Sequence, residues 1–394
     1  MQQKQRLSLP APDADSAAHS ARVAEFLRQQ ITAAGGQISF AQYMHYVLYA
    51  PGLGYYSAGA AKFGAAGDFV TAPEVSPVFG RVLARQCADV MARLDSPSIL
   101  EFGAGSGRLA VDVLRKLAEL DALPERYAIL EVSADLCERQ QALLGREIPD
   151  LVDRVTWLDR LPDEHRGVIL ANEVLDALPV ERFARRGDDI MQICVADDSG
   201  QLVFTEIEAL TPLANAVLNI EEKLGERLAD GYVSEVSLAA PSWIQDIARV
   251  LRQGSVFLFD YGLSQREYYA AERSDGWLRC HFRHHAHNDP LVLPGIQDLT
   301  AWVDFSAVAT AAVDNGLDVA GYATQAHFLV GGGLEYELAN FSELTTDAQL
   351  KLSGQVKLLT LPGEMGENFK CLGLSRGAME QPTAFAFADR TTTL

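Results

Sequence analysis

The chain is short of positive charge: 33 lysines and arginines stand against 53 aspartates and glutamates, a formal net charge of -20 over 394 residues. Binding along a phosphate backbone needs the opposite sign, so nucleic acid is not an expected partner. A basic protein partner would suit this field, although acidity also serves solubility. Cysteine is scarce as well. The five present, at positions 87, 137, 194, 280 and 371, are far apart and form no C-x-x-C pair, which argues against a disulfide framework and for a reducing compartment. No run of about eighteen apolar residues occurs, so no membrane span is expected. The first twenty residues are polar and lack an apolar stretch of the secretory kind, and the expected location is the cytoplasm. Neither an H-E-x-x-H helix nor a nucleophile elbow is found, which sets metalloproteases and serine hydrolases aside.

What remains is an enzyme-sized chain, 48% hydrophobic, enough for a large core. Helical spacing of Val23, Phe26, Leu27 and Ile31 predicts a helix over 20–34, and a second is expected over 39–49. A loop at 67–74 precedes a helix over 75–94. Strands and helices then alternate, with strands at 98–102, 127–132, 167–171 and 255–260 and helices over 109–120 and 134–144. This repetition implies a doubly wound α/β fold with a parallel sheet covered on both faces. Hairpin strands are expected over 181–204, a helix over 211–228, a helix near 305–315, a strand over 319–329, a helix over 345–358 and a last strand over 369–374.

The run Glu101-Phe102-Gly103-Ala104-Gly105-Ser106-Gly107 lies between a buried strand and a helix, where glycines let the backbone turn tightly and approach a ligand. The dinucleotide fingerprint G-x-G-x-x-G would need glycine or alanine at 108, and Arg108 stands there, which disfavours an NAD-dependent oxidoreductase. A tight turn without a ligand is the plainer reading. Glu131, thirty residues past Glu101, falls at the end of the next strand. A carboxylate there can accept both hydroxyls of a ribose, or it can be a solvated strand end.

The following strand ends in Asn172-Glu173-Val174-Leu175-Asp176, beyond the carboxyl edge where open α/β sheets bind ligands. Two acids in such a cleft can hold a guanidinium and orient its nitrogen; equally, either can cap a following helix. Asp260-Tyr261-Gly262 belongs to the same edge. Cys280, His281, His284, His285 and His287 cluster in sequence. No metal is expected there, because no ligand-spaced motif accompanies them, and a substrate-facing or solvated loop fits better.

Taken together, these blocks resemble the MidA family. The resemblance is carried by Gly67-Asp68-Phe69-Val70-Thr71-Ala72-Pro73-Glu74-Val75-Ser76, the Glu101–Gly107 loop, Leu130-Glu131-Val132-Ser133, Asn172–Pro179, Asp260-Tyr261-Gly262, Pro294–Phe305 and Gly363–Lys370, in order, over about residues 20–376. The family includes a mitochondrial complex I assembly factor that acts as a protein arginine methyltransferase. The resemblance implies a class I core that uses S-adenosylmethionine (SAM) to methylate an accessible arginine of a partner protein. It implies Gly103, Gly105, Gly107, Glu101 and Glu131 at the cofactor, with Thr71 and Glu74 on a loop folding over it. Where many relatives have Gly-Pro-Gly this chain has Gly103-Ala104-Gly105, a difference in loop stiffness. No arginine-rich presequence is present, so the acceptor need not be the mitochondrial one.

Direct displacement at the sulfonium methyl needs alignment of two centres more than acid–base chemistry. Asn172, Glu173 and Asp176 are the expected acceptor-orienting residues, with Asp298 and Asp304 as second candidates. The expected organisation is a loose lead-in over 1–18, N-terminal helices and covering loop over 19–95, a SAM-binding core over 96–262 with an insertion near 185–240, a substrate-facing segment with sheet-completing strands over 263–376, and a loose tail over 377–394. A homodimer is one candidate assembly. A small-molecule methyltransferase and a non-catalytic assembly scaffold are the alternatives; intact glycines and Glu131 weigh against the scaffold.

Overall fold

The computed structural model describes residues 9–58 and 71–394. The chain forms two compact units: a smaller one from Met1–Phe69, Ala177–Ala239 and Tyr269–Trp302, and a larger one from Val70–Asp176, Ala240–Tyr268 and Val303–Leu394. The units interleave along the sequence, whereas the sequence suggests consecutive segments.

The larger unit is built on β1 (Ser98–Phe102), β2 (Tyr127–Leu130), β3 (Val155–Leu158), β4 (His165–Asn172), β5 (Leu251–Leu263), β6 (Asp318–Thr324) and β7 (Phe369–Arg376). Their order is β6-β7-β5-β4-β1-β2-β3. Strands β3, β2, β1, β4 and β5 run parallel, while β7 pairs antiparallel with both β5 and β6. Strand β1 has β2 on one side and β4 on the other, so the winding reverses there, and ligands of such sheets bind beyond the carboxyl ends at that point. The central strands are apolar on both faces, as a covered parallel sheet requires. Ile99, Val168, Leu170, Phe257 and Phe259 share one buried cluster with Phe79 and Leu83 of the helix Pro77–Met91 and Leu109, Val113 and Leu117 of the helix Arg108–Glu119. Each such side chain contributes about 1.5–3 kcal/mol by leaving water.

The smaller unit holds a five-stranded antiparallel sheet made of Gln37–Ser39, Glu181–Arg186, Asp189–Asp198, Gln201–Glu208 and Val233–Val236. A three-stranded sheet of Leu278–Phe282, His285–His287 and Asp298–Ala301 accompanies it. Val23, Leu27 and Ile31 of the helix Ala14–Ala33 pack with Phe40, Tyr43 and Leu48 of the helix Phe40–Tyr49.

Several elements differ from expectation. The first helix begins at Ala14, because Asp13 accepts the Ser16 amide at 2.8 Å and caps it, so the lead-in expected over 1–18 is helical in its last five positions. The strand expected over 319–329 stops at Thr324, whose hydroxyl caps a helix over Gln325–Gly331. The tail expected to be loose packs Ala384 and Phe385 with no exposure. Its groove exists because β6 and β7 carry Gly321 and Gly373: a Cβ there would come within 2.2 and 2.5 Å of the Phe385 ring. Strands β3 and Val233–Val236 and the helix Ala239–Val250 are additions to the predicted elements.

Candidate cofactor and acceptor site

Three glycines shape the turn after β1. Gly103, Gly105 and Gly107 have φ of +59°, +54° and +86°, left-handed values that strain any residue with a Cβ. The Gly103 amide donates to Leu130 O at 3.0 Å, which ties the loop to the end of β2. Gly107 is the N-cap of the helix Arg108–Glu119, so first-turn amides stand at the loop. Ser106 Oγ donates to the Glu74 carboxylate. Glu74 sits in the short helix Ala72–Val75, and its amide donates to the Thr71 carbonyl at 2.9 Å. The structure therefore brings Thr71 and Glu74 to the glycine loop; Gly67–Val70 of the same sequence block lie outside the described residues.

Two acids flank this loop. Glu101, on β1, is buried and accepts the Tyr127 hydroxyl at 2.7 Å. Burial pushes its carboxyl up to about 7; the Tyr127 bond opposes the shift and the nearby Glu131 charge adds to it. Glu131 lies one residue past β2. Burial also raises its pKa, against bonds from the Ser133 amide, Gln140 and the Val132 amide. Oε1 accepts the Ser133 amide at 2.9 Å and Oε2 accepts Gln140 Nε2 at 3.1 Å. The Val132 amide bonds the same carboxylate, and a carboxylate, acceptor-only on both oxygens, suits vicinal hydroxyls. The next residue, Val132, is 78% exposed, an apolar surface beside that carboxylate.

Beyond β4 the chain makes a constrained turn. Glu173 has φ +55°, a left-handed non-glycine residue, and its amide donates to Phe259 O at 2.8 Å. Asp260, at 0% exposure, accepts the amides of Leu175 (2.9 Å) and Asp176 (3.1 Å) on Oδ2 and that of Tyr261 (3.0 Å) on Oδ1. Burial, then the Asp176 and Glu173 charges, holds the Asp260 carboxyl well above the usual range despite the amide bonds. The Tyr261 hydroxyl donates to Asp176 Oδ2 at 2.5 Å, and its ring meets Phe369 edge-on at 5.3 Å. Asn172 Nδ2 donates to Glu173 Oε1 at 3.1 Å. Asn172 Oδ1 is buried and accepts no hydrogen bond among the described residues. No helix follows Asp176; the next element is the strand Glu181–Arg186, so neither acid caps one.

The second-choice acids each have partners of their own. Asp304 caps the helix Phe305–Asp314 through the Ala307 amide at 3.0 Å and accepts Gln265 Nε2 at 3.1 Å. Asp298 belongs to the smaller unit, where it accepts Tyr56 Oη at 3.0 Å and the Leu299 amide at 3.0 Å. The histidine-rich segment is a hairpin of Leu278–Phe282 and His285–His287, and no group of three or more metal-type side chains gathers among the described residues. Two residues that no motif in the sequence marks complete this corner: Gln140, bonded to Gly105 and Glu131, and Trp157, bonded to Gln140; the signal was a glutamine within the otherwise apolar stripe Leu136, Gln140, Leu144.

The edge thus offers left-handed glycines for close approach, a carboxylate held in a fixed plane, an apolar neighbour and a buried unmatched amide oxygen. These features fit the amino-acid, ribose and base parts of SAM. Fold and edge are those of a class I SAM-dependent methyltransferase.

Comparison with known proteins agrees. Residues 82–323 match the family described as "Putative S-adenosyl-L-methionine-dependent methyltransferase". The chain is similar to a Drosophila melanogaster protein arginine methyltransferase NDUFAF7 homolog, 30% identical over 93% of this chain and 88% of the relative. It is also similar to protein arginine methyltransferase NDUFAF7 of Danio rerio, 29% identical over 86% of this chain and 83% of the relative. A Burkholderia thailandensis protein bound to S-adenosyl-homocysteine superposes with TM-score 0.92 at 42% identity, over 98% of this chain and 100% of that one. The chain belongs to this MidA-like methyltransferase family and uses SAM.

Proposed function

We propose that the methyl acceptor is an arginine side chain of a partner protein, received by Glu173 and Asp176. The observation that carries this reading is the clamped turn beyond β4: Asp260 holds the amides of Leu175 and Asp176, and Tyr261 holds the Asp176 carboxylate. Glu173 is fixed by its amide bond to Phe259 and by Asn172. Two anions at one turn suit a cation with several planar donors, and a guanidinium is such a group. Its charge would also relieve the repulsion that raises the Asp260 pKa.

SAM, when bound, supplies an electrophilic methyl group on a sulfonium sulfur. The chain's part is to align the acceptor nitrogen and to accept the proton that nitrogen sheds as it is methylated, by way of Glu173 or Asp176. Gly103, Gly105 and Gly107 would carry the amino-acid end of the cofactor, Glu131 its ribose, Val132 a face of its base, and Asn172 Oδ1 a donor of cofactor or acceptor. Glu101 would act through the loop it precedes. Thr71 and Glu74 would cover the site. Asp304 has no part in this proposal, both its oxygens being bonded within the fold.

The names of the relatives support a protein arginine acceptor, and the acidic surface suits a basic segment around it. The test is Glu173→Gln under single turnover with excess SAM. Transfer to protein slowed by about a hundredfold or more with SAM affinity unchanged is expected; normal turnover removes Glu173 from the acceptor site.

A further inference from the structure

We infer that Gln140 is a positioning residue that locks the glycine loop and the Glu131 carboxylate into one cofactor-reading unit, with its own orientation set by Trp157. This rests on the reading of Glu131 as the ribose acceptor.

Gln140 lies in the helix Ala134–Glu147, between Leu136 and Leu144 on the buried face. It has no exposure at all. A primary amide there is costly unless its groups are bonded, and the bonds it makes are specific. Nε2 donates to Gly105 O at 3.0 Å and to Glu131 Oε2 at 3.1 Å, while Oε1 accepts the Trp157 indole N–H at 2.9 Å. The indole nitrogen can only donate, and a carbonyl and a carboxylate can only accept. Trp157 thereby admits one of the two amide orientations, the one that aims both Nε2 protons at the site. A flipped amide would set oxygen against two oxygens and nitrogen against the indole donor.

Two consequences follow from one side chain. First, the bond to Oε2, with the Ser133 amide on Oε1, fixes the plane of the Glu131 carboxylate that would accept the ribose hydroxyls. Second, the same amide holds the Gly105 carbonyl, and so the peptide plane of a loop residue at φ +54°. The loop and the carboxylate would bind different parts of one ligand, and Gln140 sets their separation. The helix closes against the loop from the same side: a Cβ on Gly107 would meet Leu144 Cδ1 at 3.0 Å and Gln140 Cγ at 3.4 Å.

The experiment measures affinity for S-adenosylhomocysteine and for its 2′-deoxyribose analogue in wild type, Gln140→Met and Trp157→Phe, with a thermal melt of each. Methionine fills the same volume without hydrogen bonds. The expected wild-type preference for the hydroxylated ligand is about tenfold or more. It falls below about threefold in Gln140→Met and to an intermediate value in Trp157→Phe, in proteins that still melt cooperatively. A merely structural role would weaken both ligands alike and leave the ratio unchanged, and that result in a folded Gln140→Met protein overturns the inference. If Gln140→Met does not fold, Trp157→Phe decides: an unchanged ratio there overturns it too. A wild type that does not distinguish the ligands overturns the ribose reading of Glu131 itself, a separate failure.

Discussion

The Tyr261 hydroxyl donates to Asp176 Oδ2 at 2.5 Å, and the neighbouring Asp260 carboxylate accepts the Asp176 amide at 3.1 Å. Adjacent residues at the carboxyl end of one strand thus grip the side chain and the backbone of the same acid. Removing the hydroxyl leaves the backbone bonds of the turn and takes one bond from the carboxylate. Tyr261→Phe is expected to slow methyl transfer by roughly ten- to a hundredfold, the value of one hydrogen bond to a charged group. SAM affinity should stay within about twofold by calorimetry. A large loss of SAM affinity would mean that Asp176 serves the cofactor instead.

Glu173 pairs a strained backbone with a proposed role. A left-handed residue with a Cβ costs roughly 1–2 kcal/mol, most of which glycine recovers. Glu173→Gly should therefore melt at or above the wild-type temperature while losing methyl transfer. A variant that is less stable would show that the carboxylate holds the turn rather than the acceptor.

The loop glycines predict a different pattern. Gly105→Val places a branched side chain at φ +54° and should abolish SAM binding in a titration of the purified protein. Gly107→Ala meets both φ +86° and Leu144 at 3.0 Å, and should lose about 1–2 kcal/mol of stability along with part of the affinity. Wild-type affinity in Gly105→Val would mean that the loop does not approach the cofactor.

Glu101 makes stability depend on pH. Its carboxyl, at about 7 in the fold against 4.5 as a free side chain, holds its proton longer when folded than when unfolded. Stability is therefore greatest below 4.5 as far as this group decides, and falls as pH rises to about 7. Glu101→Gln keeps an acceptor for Tyr127 and removes the titration. Relative to wild type it should gain on the order of 3 kcal/mol between pH 4.5 and 7.5. Parallel melting curves across that range would contradict the buried, proton-retaining Glu101.

Much of this was legible in the residues. The apolar run of Ser98–Phe102 and the alternate glycines after it fixed the first strand and loop, because a short buried strand and positive-φ turns leave strong local signatures. Asn172–Asp176 was legible as an edge for the same reason. Gln140 was not: a polar helical residue reads as solvated unless its partners are known, and those come from the loop at 105, Glu131 and Trp157. Phe385 was hidden likewise, since the groove receiving it is made by glycines over sixty and ten residues earlier in the chain. Asp304 looked like a candidate acid from its block, yet its oxygens are taken by a helix start and Gln265, a distinction only three-dimensional contacts supply.

The most direct test is the chemical position of the transferred methyl group. The protein is incubated with methyl-labelled SAM and a protein fraction from cells lacking this chain, and the labelled product is hydrolysed to amino acids. Label is expected in methylated arginine and is lost with Glu173→Gln. Label confined to another amino acid, or to acid-soluble small molecules, would contradict it.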